Sequence, residues 1–168
     1  MFRSLSGLWK AHRGRKAAVA VILPLVDESR VRCRGIADGT WLDPYMIGFM
    51  TMLITISARH KVSRIDSLSL GLVQQEAWAD ITGMRPEVLG EQALNLSVSG
   101  NRTFALGCQN AIAFDAALSR SAQLAAFDDR AFAAEAADGG HADTLQDPDV
   151  GALWADCFES HVLRDIRW

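Results

Sequence analysis

Cys157, His161 and Asp165 follow one another at four-residue intervals near the end of the chain. Residues four apart are neighbours on a helix surface. A Cys and a His at this spacing can supply two ligands to zinc, with His141 or Asp143 from the preceding segment completing the set. The same residues have a simpler use, as a core histidine hydrogen-bonded by Asp165 or a backbone carbonyl, beside a buried cysteine that behaves as a small hydrophobe. No Cys-x-x-Cys pair accompanies them, and the sequence implies no cofactor.

Asp115 is the second residue of interest. It falls within a heptad-like apolar stripe of Phe104, Cys108, Ala111, Leu118 and Ala122. A carboxylate on a core face is costly unless it is paired, and Arg59, His60 and His161 are the cations it could meet. Unpaired, it would be a general base with a raised pKa; paired, it joins two helices.

Three weaker constellations complete the chemistry. Gly100-Asn101-Arg102-Thr103 could hold an anion on free backbone N–H groups and Arg102, although it is neither a Walker A nor a dinucleotide fingerprint. Gln74, Gln75, Glu76 and Trp78 could line a pocket between helices, with Trp78 equally suited to the core. Cys108 lacks any activating signature around it. No Gly-x-Ser-x-Gly or His-Glu-x-x-His occurs, and neither Glu76 nor Glu159 has a histidine three residues on, as a di-iron bundle would need. These absences disfavour an enzyme.

The elements that must position these residues are legible from their breakers. Asp43-Pro44 reads as N-cap and first helical residue of a helix reaching about His60. Ser63 or Asp66 opens the next, which ends at Gly83, and Arg85-Pro86-Glu87 starts a third that ends near Gly100. Asn101 caps a fourth, running to about Phe127. A separate alanine-rich piece (128–137), a Gly139-Gly140 spacer and a last helix from Asp147-Pro148-Asp149 follow. A helix from about Arg15 to Arg32 would have to kink at Pro24. Leu94, Leu96 and Val98 alternate with polar residues before Gly100-Asn101, which also fits a β-hairpin over 94–106.

The 44–60 segment is apolar nearly all round, so it belongs at the centre of the core. Gly48 within it lowers helix propensity, which a close helix crossing there would offset. Helix 66–82 has two apolar sides, Ile65, Leu68, Leu72 and Ala79 opposite Leu70, Val73, Ala77 and Ile81, with Glu76 and Asp80 between. Two apolar faces imply two covering layers. In a chain of 168 residues the second layer is expected from another copy, with Leu70, Val73, Ala77 and Ile81 at the interface of a homodimer.

The net charge of −3 conceals a division. Residues 1–64 hold eleven Lys/Arg against four Asp/Glu; residues 65–168 hold six against sixteen. The basic half, with Arg3, Lys10, Arg13, Arg15 and Lys16 at its head, suggests an anionic surface contact, nucleic acid or membrane, or an attraction between the two halves. Residues 17–26 resemble a signal-peptide core, but no small-residue cleavage site follows. The longest uncharged run, 44–58, is short of the ~20 residues a spanning helix needs, and three cysteines make no disulfide scaffold.

Together these features predict an all-α, single-domain bundle of about six helices around the 44–60 helix, with a basic and flexible segment over 1–16. The competing fold is α+β with a hairpin at 94–106. The expected function is that of a small cytoplasmic adaptor or assembly factor, a homodimeric helical interaction module with an unspecified protein partner. The competing function is a ligand- or metal-binding protein, or an enzyme, using a pocket of His161, Cys157 and Asp115.

Overall fold

The computed structural model describes residues 5–132 and 147–165. The elements there are helices: α1 (Leu5–Arg32), α2 (Asp38–Leu42), α3 (Pro44–Lys61), α4 (Ser67–Thr82), α5 (Pro86–Val98), α6 (Arg102–Phe132) and α7 (Pro148–Trp154). α7 continues through a π turn (Ala155–Glu159) into α8 (Ser160–Asp165). No strand occurs among the described residues, and the protein is an all-α bundle.

The helix ends are built from the residues that announce them. Asp43 Oδ1 accepts from the backbone N–H of Tyr45 (2.9 Å) and Met46 (3.3 Å), and Pro44 occupies the first helical position, where its missing N–H costs nothing. Asp66 accepts from the Ser69 N–H at 2.9 Å and from its hydroxyl at 2.7 Å, so its carboxyl titrates below the usual range, chiefly through that hydroxyl. Asn101 Oδ1 accepts from Phe104 N–H at 3.0 Å and starts α6.

The hairpin does not form. Gly100, at φ 63°, closes α5 instead, its N–H donating to the Ser97 carbonyl and that of Asn101 to the Leu96 carbonyl. The apparent alternation is a helical stripe: Leu94 and Val98 face water, while Leu96 packs on the core. Two further boundaries differ from expectation. α6 runs on to Phe132 without a break at Phe127, because the alanine-rich sequence contains no residue that stops a helix. α1 is described from Leu5, so Lys10, Arg13, Arg15 and Lys16 are helical and residues 5–16 are not an appendage. The 139–140 spacer lies outside the described residues.

α3 is the centre. It touches α1, α2, α4, α5 and α6, and Tyr45, Met46, Ile47, Phe49, Met50, Leu53 and Ile54 are buried along it. Around Phe49 an aromatic cluster gathers: Trp154 at 5.9 Å between ring centroids, and Phe114 and Phe158 each at 6.4 Å. Trp154 and Phe158 stack at 4.5 Å. Trp41, from the short α2 that the sequence did not suggest, packs against Phe158 and Trp78.

α4 is indeed covered on two sides, but not by another copy. Val73, Ala77 and Ile81 are fully buried inside this chain and Leu70 is half-buried, because α1 lies along α4 as its second layer. These four residues are therefore not a dimer interface. Leu68, on the opposite side, is 86% exposed.

The closest approach in the bundle is α3 against α6. A Cβ at Gly48 would overlap the Phe104 carbonyl, and one at Gly107 would overlap the Tyr45 carbonyl and stand 2.8 Å from Phe49 N. Backbone meets backbone there, in keeping with a glycine placed inside an otherwise apolar helix. Gly107→Ala is expected to lower the unfolding free energy by about 3 kcal/mol, the upper range of overpacking. Gly71→Ala, at a helical site with nothing within 4 Å of the added methyl, should raise it by about 0.5–1 kcal/mol. Urea melts of both variants check the pair; equal effects would mean that the crossing is not close.

Candidate functional site

The C-terminal helix meets the rest of the bundle through two polar clusters. In an α-helix, residues five apart point about 140° away from each other. The π turn, with its i→i+5 hydrogen bonding, brings Trp154 and Glu159 onto one side, and both reach the same hydroxyl. Trp154 Nε1 donates to Ser29 Oγ at 2.8 Å, and Ser29 Oγ donates to Glu159 Oε1 at 2.6 Å. Ser29 is fully buried in the middle of α1's last turns. The Arg32 guanidinium closes on Glu159 at 2.7 Å and on Glu28 at 3.2 Å. Every polar group of this node is satisfied, which is the condition for burying it.

The second cluster lies on Tyr45. Asn110 Nδ2 donates to Tyr45 Oη at 2.8 Å, and the Tyr45 hydroxyl is in hydrogen-bond contact with the Cys157 thiol. The His161 ring lies flat on the Tyr45 ring at 3.7 Å, and His161 Nδ1 is 3.2 Å from Ser160 Oγ. Burial pushes the Tyr45 hydroxyl up to about 12 and raises the Cys157 thiol as well. A thiol so raised stays protonated near neutrality and is not an activated nucleophile. The pair with zinc-ligand spacing is thus joined through Tyr45: the cysteine meets its hydroxyl and the histidine stacks on its ring. Among the described residues no three His, Cys, Asp or Glu are grouped to hold a metal ion. His141, Asp143 and the Asp165 side chain lie outside the described residues.

The remaining candidates are dispersed. Asp115 does meet one of the three expected partners: His60 Nε2 lies 3.0 and 3.1 Å from its two oxygens. Asp115 is therefore engaged by His60, whereas His161 stacks on Tyr45, fifteen residues away from His60 along α3. Gln74 donates to Thr55 at 2.8 Å, while Gln75 lies against Gly90 of α5. Glu76 pairs with Arg15 at 3.2 Å, and Arg15 holds Asp80 with two hydrogen bonds of 2.6 and 2.8 Å. His161, Asp115 and Gln75 therefore meet different partners, Tyr45, His60 and Gly90.

Arg102 is exposed on the first turn of α6, where Asn101 already takes the Phe104 N–H. Cys108 donates to the Gly48 carbonyl at 3.4 Å, and burial raises its thiol. Arg3 lies outside the described residues. The sequence does not announce the π turn or its Ser29 node: Ser29 and Glu159 carry no local signal beyond a serine in an otherwise apolar helix stripe. Comparison with protein-family models, with curated proteins and with solved structures returned no match.

Tyr45 is the single tyrosine of the chain, so phenolate absorbance reads it alone. Its midpoint is expected near 12 in the folded protein and near ~10 in urea. The folded state holds this proton the more tightly, so stability falls as the pH rises from about 10 toward about 12 and is unaffected by Tyr45 below that window. A folded-state midpoint near ~10 would mean that the hydroxyl is open to water. Tyr45→Phe, which strips Asn110 of its acceptor, should cost about 1–2 kcal/mol in a thermal or urea melt.

Proposed function

We propose that the chain is a helical protein-interaction module that works as a homodimer, pairing through the outer face of α6. One observation carries this reading. Between residues 103 and 126 the exposed side of α6 bears a single charge, Arg120, while Leu106, Ile112 and Leu124 are 49%, 51% and 65% exposed. Ala105, Gln109, Ile112, Ala116 and Gln123 recur there at alternating four- and three-residue steps, with half-buried Ser119 completing the series. That spacing keeps one seam facing a partner helix, and small residues let the two backbones approach. From Ala105 to Leu124 this nearly uncharged face is about 30 Å long at the α-helical rise per residue.

Two copies related by a two-fold axis would lay this face against itself with the helix dipoles opposed. Asp115 is held by His60 while His161 and Cys157 meet Tyr45, so the ligand-pocket reading gains no support. The cysteines Cys33, Cys108 and Cys157 are free, which suits a reducing cytoplasmic setting. No described helix is long and apolar enough to cross a membrane.

Light scattering coupled to size exclusion should give twice the 18.3 kDa chain mass at micromolar concentration. Ile112→Glu together with Ala116→Glu should give a monomer with unchanged helical circular dichroism. A wild-type monomer throughout that range would sink the proposal.

A further inference from the structure

Part of the basic half of the sequence, Lys10, Arg13, Arg59, Lys61 and Arg64, gathers at one end of the bundle, while Arg30, Arg32 and Arg34 lie at or just past the far end of α1. α1 enters there: Gly7 packs beside Asp66 and Ser69, Gly14 lies against Ala58, and Lys10 Nζ donates to the Arg64 carbonyl at 3.3 Å. The N-terminal turns of α1 thus stand next to the end of α3, where Arg59, Lys61 and Arg64 are exposed. On the outward side of α1, Trp9, Arg13 and Lys16 follow at helical spacing, with the Arg13 guanidinium 4.6 Å over the Trp9 ring. Trp9 is 57% and Leu8 42% exposed. Arg15 is already committed to Glu76 and Asp80, but Arg13, Lys16, Lys61 and Arg64 have no carboxylate partner in an ion pair among the described residues. The neighbouring carboxylate, Asp66, is occupied by Ser69, and Asp38 and Asp43 belong to the opposite end of α3.

We infer that this end of the bundle is a docking surface for an anionic lipid bilayer, lying against the headgroups without crossing them. Unpaired Lys and Arg supply attraction to anionic headgroups. An exposed Trp beside a Leu supplies what a purely electrostatic surface lacks, an amphipathic ring and an alkyl group suited to the headgroup–acyl boundary. Nucleic acid would use the same charge but draws little from Leu8, so the lipid surface is the occupant favoured by the residues present. This surface is distinct from the outer face of α6, and a monomer could use it as well as a dimer.

Sedimentation with vesicles tests the inference. Vesicles of phosphatidylcholine containing about 30 mol % phosphatidylserine should retain the protein, while pure phosphatidylcholine should not, and added salt should weaken the retention. Each basic residue near such a surface contributes about fivefold in partitioning, so Arg13→Glu with Lys16→Glu should lower it at least tenfold. Trp9→Ala should weaken binding while leaving the salt dependence in place, and Arg85→Glu, at the start of α5, should leave binding unchanged. Melting curves of the variants matching the wild type exclude loss of fold as the cause. No retention on phosphatidylserine, equal retention on both vesicles, undiminished binding of the double variant, or a salt-sensitive shift of duplex DNA or RNA without vesicle retention would each overturn it.

Discussion

The contact between α3 and α6 governs the rest of the bundle. Gly48 and Gly107 let two backbones meet with no side chain between them, and that separation fixes what the neighbouring side chains can reach. Tyr45 and Asn110 come within hydrogen-bonding distance, Phe49 and Phe114 share a core, and further along the same two helices His60 closes on Asp115. A larger gap would weaken all three together, since dispersion and hydrogen bonding both fall steeply within an ångström. Each glycine lowers helix propensity by about 1 kcal/mol relative to alanine, a cost that the close packing offsets.

The C-terminal helix is fastened to this pair by a change of helical phase. An uninterrupted α-helix could present either Trp154 or Glu159 to α1, not both. The π turn presents both to Ser29, and it does so at the place where Phe158 and Cys157 must also face inward, toward Trp41 and Tyr45. A helix turn that adds a residue is tolerated when the groups it redirects find partners, and here each does.

Charge works at two levels. Arg15 with Glu76 and Asp80, and Arg32 with Glu159, join the basic first half of the chain to its acidic second half. The Arg15 pairs are about a third exposed, so they align α1 on α4 more than they stabilise it. At the Trp9 end, basic residues outside these pairs stand beside an exposed tryptophan.

Much of the fold is legible in the sequence because its signals are local. Asp43-Pro44, Asp66, Asn101 and Asp147-Pro148 each satisfy backbone groups within three residues of themselves, so helix starts can be read one at a time. The central place of 44–60 follows from its having no polar face. Long-range choices are not legible. The two faces of α4 require two layers, but only the folded chain decides that α1 supplies the second. Asp115 requires a partner, and the geometry chooses His60 over Arg59 and His161. The i, i+4 spacing of Cys157 and His161 suits a ligand pair, yet packing directs both onto Tyr45. Sequence alone determined where helices α3 to α7 begin and which residues must leave water, because caps and apolar periodicity act within a turn or two. Tertiary structure decided which buried groups meet, because that depends on backbone separation and helix phase, set here by two distant glycines and one π turn.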